Sequence, residues 1–254
     1  KEFFEQYKSL YLRIKGALDQ HVENDAVTRT EFKHRGVLTA DFAKRLLGQI
    51  VFLYFLQKKG WLGVEKSQPW GTGPKDFMQK LFRAGDYANF FNDVLEHLFY
   101  DALATERTTQ DHFYAQFNCK IPFLNGGLFE PFQGYARDDT DILLDNKLFE
   151  DIFSVFDLYN FTVREDEPLD KEVAVDPEML GKVFENLIPE NERKGNGTFY
   201  TPREIVHYMC QESLINYLDT ALNVELVPIE KKGQQAFFDE AAQHIEYKDK
   251  YVKV

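Results

Sequence analysis

The chain has 254 residues, a net charge of -12 and 15% aromatic residues, with Phe alone contributing 24. That is enough apolar material for one large core or two modest ones, and it excludes intrinsic disorder, which rests on a deficit of apolar side chains. The acidic balance argues against a surface built throughout to cradle nucleic-acid phosphates, and the longest apolar run, Ile50 to Leu56, is far too short to span a bilayer.

In chain order, residues 2 to 19 place Phe3, Phe4, Tyr7, Leu10, Tyr11, Ile14 and Leu18 at three- and four-residue steps, which predicts an amphipathic helix with one buried face. Asn24 to Arg35 reads as a polar loop leading to Thr39, a candidate N-cap with Asp41 in the first turn. Asp41 to Lys59 reads as a helix that becomes apolar almost all round, a pattern that places it at the centre of its domain, with Gly60 as C-cap. Pro69, Gly71, Gly73 and Pro74 mark residues 66 to 74 as a loop. Two helices follow, Lys75 to Arg83 and Asp86 to Ala104, the second turning Phe90, Phe91, Val94, Leu95, Leu98, Phe99 and Leu103 inward.

From Phe113 to Pro131 apolar clusters are interrupted by Asn125-Gly126-Gly127, which fits either a short hairpin or an ordered buried loop. Leu148 to Tyr159 reads as a helix and Phe161 to Val163 as a strand or extended link. The acidic run Arg164 to Val175 is the expected domain boundary. Asp176 and Pro177 open the next helix, which ends near Pro189.

Charge is distributed unevenly. Residues 1 to 60 carry 11 Lys and Arg against 7 Asp and Glu, a net +4, which leaves -16 for the rest. Arg29, Lys33, Arg35, Lys44, Arg45, Lys58 and Lys59 form this basic concentration, which is either a solvated helix face or a DNA contact. Cys119 and Cys210 lie 91 residues apart without a metal or disulfide pattern, and no signal peptide is visible, so a reducing cytoplasmic setting is expected.

The most informative stretch is Gly195 to Met209. Gly195 and Gly197 permit close backbone approach, Thr201 suits an N-cap with Glu204 three residues on, and Pro202 suits the first helical position. A helix from Pro202 to about Leu222 should follow, its N-terminus presenting amide donors and the positive end of its dipole. Gly197-Thr198-Phe199-Tyr200-Thr201-Pro202 followed by Ile205-Val206 resembles the S-adenosylmethionine-binding motif X of DNA adenine-N6 methyltransferases.

Asp176 to Leu187, Phe123 to Phe129 and Phe52 to Leu62 are similar to segments of type IIG restriction-modification enzymes, in the same order. The resemblance implies a mainly α chain in which residues 1-165 form a helical connector. Residues 166-222 would begin a Rossmann-like methyltransferase domain, cut off by the end of the chain, and 223-254 would be a polar tail. It implies S-adenosylmethionine as cofactor, with Thr198, Phe199, Tyr200, Thr201 and Pro202 at its site, and double-stranded DNA as the partner of the parent protein.

The family's base-binding Asn/Asp-Pro-Pro-Tyr motif and its Gly-rich cofactor loop do not occur in these 254 residues. The chain, which begins at Lys1 rather than Met, is therefore expected to be a fragment that neither transfers a methyl group nor holds the cofactor tightly. Glu-x-Lys occurs at Glu31, Glu192, Glu230 and Glu246, too often in an acidic chain to identify a nuclease, and the six histidines form no HExxH or close pair. The rival readings are a non-enzymatic helical module that binds a protein partner through its Phe-rich surfaces, and a helical DNA-binding domain, which the -16 disfavours.

Overall fold

A computed structural model describes residues 2-108, 111-124, 127-161, 174-175, 181, 201 and 203-223. The described residues are mainly helical, and the chain divides into two compact units, Lys1–Leu187 and Ile188–Val254.

The first unit is assembled on the central helix. Helix α1, Glu2–Asn24, buries Phe3, Tyr7, Leu10, Tyr11, Ile14 and Leu18, the stripe read from the sequence. The expected polar loop after it is instead a second helix, α2, Ala26–Arg35. Its apolar periodicity is weak, and what holds it is local and tertiary: the Asp25 carboxylate accepts from the Thr28 N–H at 2.6 Å, and Thr28 and Phe32 are buried. It ends at Gly36, whose left-handed backbone lets the Val37 N–H reach the Phe32 carbonyl at 2.8 Å and puts Val37 into the core.

Helix α3, Thr39–Lys58, packs against α1 and α4 and buries Phe42, Leu46, Leu47, Ile50, Val51, Leu53, Tyr54 and Leu56. Its cap differs from expectation. Leu38 holds the N-cap position without a side-chain bond, and the Thr39 hydroxyl donates to the Asp19 carboxylate of α1. Nor is it covered on every side, since Phe52 is 39% exposed. Gly60, at φ 70°, follows its end, and a Cβ there would lie 2.2 Å from the Gly71 carbonyl oxygen, so the return of the 66-74 loop requires glycine.

Helix α4, Phe77–Arg83, is two residues shorter at its start than expected. The following helix has π geometry over Phe91–Leu95 and His97–Leu103, with Glu96 continuing it between them. All seven apolar residues expected to face inward are buried.

Strands β1, Phe113–Tyr114, and β2, Cys119–Lys120, form a small antiparallel hairpin turned by Ala115 to Asn118 rather than by the Asn-Gly-Gly segment. Asn125 and Gly126 lie outside the described residues. The residues after them form an ordered loop sewn to α3: Arg45 Nη2 donates to the carbonyls of Gly127 and Glu130, and Gln49 Nε2 donates to that of Leu128 at 2.7 Å. Phe129 is thereby held in the core at 1% exposure.

Helix α5, Asn146–Phe156, is capped by Asp145, which accepts from the Lys147 N–H at 2.9 Å. It buries Leu148, Phe149, Ile152, Phe153 and Phe156 at helical spacing. Strands β3, Asn160–Phe161, and β4, Ala174–Val175, pair in parallel. Phe161 joins a ring cluster with Tyr54 at 5.1 Å and Phe156 at 5.5 Å between centroids. In the second unit the described residues are Thr201 and helix α6, Arg203–Asn223. The helix opened by Asp176 and Pro177 lies outside the described residues apart from Gly181.

Candidate functional site

At the motif singled out in the sequence, Thr201 is exposed and stands two residues before the first residue of α6. Glu204 lies in the first turn and His207 and Cys210 are exposed further along. Thr198, Phe199, Tyr200 and Pro202 lie outside the described residues. A helix start beside an exposed hydroxyl offers amide donors, a dipole end and one side-chain donor to an anion, which fits the carboxylate of an amino-acid ligand.

Apolar residues of α6 are exposed on several sides: Ile205 at 50%, Tyr208 at 64%, Met209 at 59%, Leu214 at 58% and Tyr217 at 69%.

Much of the basic concentration is tied into the fold. Arg29 donates to the Glu23 carbonyl at 2.8 Å, Arg35 pairs with Glu31 at 3.0 Å and Lys44 with Asp41 at 3.4 Å. Arg45 lies under the Phe132 ring at 5.3 Å, and burial lowers its pKa. Lys33, Lys58 and Lys59 are exposed. Of the Glu-x-Lys matches only Glu31 is described. Its carboxylate is used structurally, accepting from the Ala136 N–H at 2.9 Å as well as from Arg35. Among the described residues no group of three or more His, Cys, Asp or Glu side chains is placed to hold a metal. Burial raises the Cys119 thiol to about 12, which leaves it unreactive.

A titratable cluster that no sequence signal announces lies inside the first unit. Glu96, 5% exposed, accepts from the Tyr135 hydroxyl, and the Tyr100 and Tyr135 hydroxyls are 3.1 Å apart. Arg137 covers the Tyr100 ring at 5.6 Å and binds Asp101 at 2.6 Å, and Asp101 in turn holds His97 at 2.7 Å. Burial pushes the Glu96 carboxyl up to about 7, against the opposing pull of the Tyr135 hydrogen bond and of Arg137. Such a pKa suits general acid-base work. Here, however, the carboxyl is closed in by the core, where it accepts from the Tyr135 hydroxyl, which in turn partners that of Tyr100. Glu96 sits between the two π segments, its backbone N–H donating to the Phe91 carbonyl five residues back.

No protein-family model matches the chain, and no solved structure matches it. Over 186 residues, 68% of the chain, it is 27% identical to a protein of Methanocaldococcus jannaschii named "Putative type II restriction enzyme and methyltransferase". The chain is related to a restriction-modification protein. It spans about 14% of that protein's length. No helix of the described residues is long and apolar enough to cross a membrane.

Proposed function

We propose that the chain is part of a DNA adenine-N6 methyltransferase of the type IIG restriction-modification class, carrying the helical connector and the first S-adenosylmethionine-binding element. The observation that carries this reading is the 186-residue similarity to the archaeal restriction enzyme and methyltransferase. The start of α6 at Arg203, directly after the Thr198 to Pro202 motif, supports it.

In this reading residues 1-165 are the connector, 166-222 open the methyltransferase domain and 223-254 lead onward from it. The first compact unit runs past residue 165: β4 pairs with β3, and Val175 is fully buried in its core. Double-stranded DNA is the substrate of the parent protein, and the cytoplasm is its compartment.

S-adenosylmethionine supplies the methyl group. Thr201 and the first-turn amides of α6 would hold its amino-acid end by hydrogen bonds, while a ring of Phe199 or Tyr200 would pack against it and exclude water. These residues position the cofactor and do not touch adenine. In the parent protein, Thr201→Ala should weaken S-adenosylmethionine binding several-fold, about 1 kcal/mol for one lost hydrogen bond, and leave DNA affinity unchanged. Phe199→Ala and Tyr200→Ala should cost more where the ring lines the pocket. Titration calorimetry of cofactor and DNA on the three variants decides it: folded variants that all bind cofactor like the parent reduce the motif to a helix cap.

A further inference from the structure

Residues 127 to 142 cross the first unit as a strap in which no helix or strand exceeds three residues. With so little backbone ladder of its own, the strap is held by side chains of the helices around it. Helix α3 holds its start, where Arg45 Nη2 donates to the carbonyls of Gly127 and Glu130 and Gln49 Nε2 to that of Leu128. Helix α2 holds its middle through Glu31, which accepts from the Ala136 N–H, and α1 its end through His21 Nε2, 2.9 Å from the Asp141 carbonyl oxygen. These bonds are exposed or only part-buried. Those of Tyr135 are fully buried: its hydroxyl donates to Glu96 and lies 3.1 Å from the Tyr100 hydroxyl.

Water can replace the outer attachments one at a time, but it reaches the inner one only by entering the core. Tyr135 is 2% exposed, its ring set against Phe32 at 6.3 Å and Phe42 at 5.9 Å. The titratable groups that act on Glu96 are Asp101 on its own helix and Tyr135, Arg137 and Asp141 on the strap. Arg45 of α3 acts on Tyr100, while Glu31 of α2 and His21 of α1 are bound to strap backbone. Among these groups Arg137 is the cation that favours an ionised Glu96, and its guanidinium is shared with Asp101 at 2.6 Å and Asp138 at 3.4 Å. Asp101 and Asp141 oppose ionisation.

A carboxyl oxygen accepts from Tyr135 whether or not the group is charged, so loss of the proton keeps that bond and adds a poorly countered charge to the core. The charge is relieved by letting water in. The helix that carries Glu96 has its own backbone ladder, and the strap does not, so the strap is the side that gives way.

We propose that residues 127 to 142 form a proton-held strap, whose local opening hydrates Glu96 and releases its proton, so that the strap opens more readily as pH rises toward neutrality. In the closed form burial raises the Glu96 carboxyl to about 7, whereas a hydrated carboxyl returns to the ordinary glutamate range. Closure is therefore firmest below the ordinary range, weakens between it and about 7, and levels off above. Opening uncovers the rings of Phe32, Phe42 and Phe99, against which Tyr135, Phe132 and Phe129 now pack. The device is independent of the methyltransferase reading and survives its failure.

The test is hydrogen exchange of the 254-residue chain between pH 5 and 8, followed by mass spectrometry, with each rate divided by the intrinsic rate at that pH. Amides of residues 129 to 142 should exchange faster than those of α1 and α3 and should be insensitive to low urea, the mark of a local opening. Their protection should fall about tenfold per pH unit from pH 5 to about 7 and then level off, one proton being released per opening. Glu96→Gln leaves every other titratable group in place and should make that protection high and independent of pH. Tyr135→Phe keeps the ring but removes the donor to the ionised carboxyl, so the levelling should move to higher pH. The inference is overturned if strap amides exchange only together with α1 and α3, if their protection does not change with pH, or if either folded variant keeps the parent's profile.

Discussion

Glu96 is the residue whose setting departs furthest from what its type suggests. Its carboxyl titrates at about 7 in the fold because burial disfavours the charged form. Between the ordinary glutamate range and pH 7 the folded protein therefore binds more protons than the unfolded chain, and stability falls as pH rises through that window. The contribution is whole below the ordinary range and lost above about 7. Glu96→Gln keeps an acceptor for the Tyr135 hydroxyl without the charge. It should stabilise the protein above neutrality by up to about 3 kcal/mol and remove the decline between pH 5 and 7. Urea unfolding of parent and variant across that range measures both, and an unchanged slope in the variant would assign the pH dependence to other groups.

At the scale of elements, α3 organises the first unit. Leu53 is fully buried at its centre, and Tyr54, Gln57, Arg45 and Gln49 extend from the same helix to bind the Gly127 to Glu130 loop, α4 and Asp157. A charge at Leu53 would be unpaired in that core, at a cost of several kcal/mol, comparable to the whole stability of a domain. Leu53→Asp should abolish cooperative melting of the first unit, followed by circular dichroism. A soluble variant that still melts cooperatively would show that α3 is peripheral.

Helix α2 carries the opposite lesson. Its buried residues are only Thr28 and Phe32, too few to make a legible stripe, and it forms because Asp25 caps it and Phe32 packs against Phe42 at 5.7 Å and Tyr135 at 6.3 Å. A loop reading was the natural one from spacing alone.

For the whole molecule, the first unit is closed around a continuous core, while α6 in the second unit exposes apolar side chains on several of its sides. The proposed cofactor site has only Thr201 and the start of α6 among the described residues. The chain alone should bind S-adenosylmethionine more weakly than micromolar, the level that corresponds to about -8 kcal/mol. Calorimetry that found micromolar affinity would mean a complete site lies within these 254 residues and would move the proposed domain limits.

Local pattern in the sequence determined the helices whose apolar residues repeat every three or four positions. Helices α3 and α5 lie within three residues of their expected limits and α1 starts where expected and runs on to Asn24, because burying a stripe requires only that spacing and a neighbour, whereas α6 matches its expected limits while leaving its apolar residues exposed. The candidate cofactor residues came from a motif and not from any fold argument, and of them Thr201 alone is among the described residues.

Tertiary structure decided the rest: the helicity of α2, the burial of Glu96, the hairpin at Ala115 to Asn118, and the triad of Tyr54, Gln79 and Asp157. The reason is sequence distance. Tyr54 and Asp157 are 103 residues apart, Glu31 and its Ala136 donor 105, and Glu96 and Tyr135 39. Such partners obey no local period. Each polar residue is ordinary in its own segment and acquires its hydrogen bonds, its shifted titration or its unmet valence only when the core brings distant segments together.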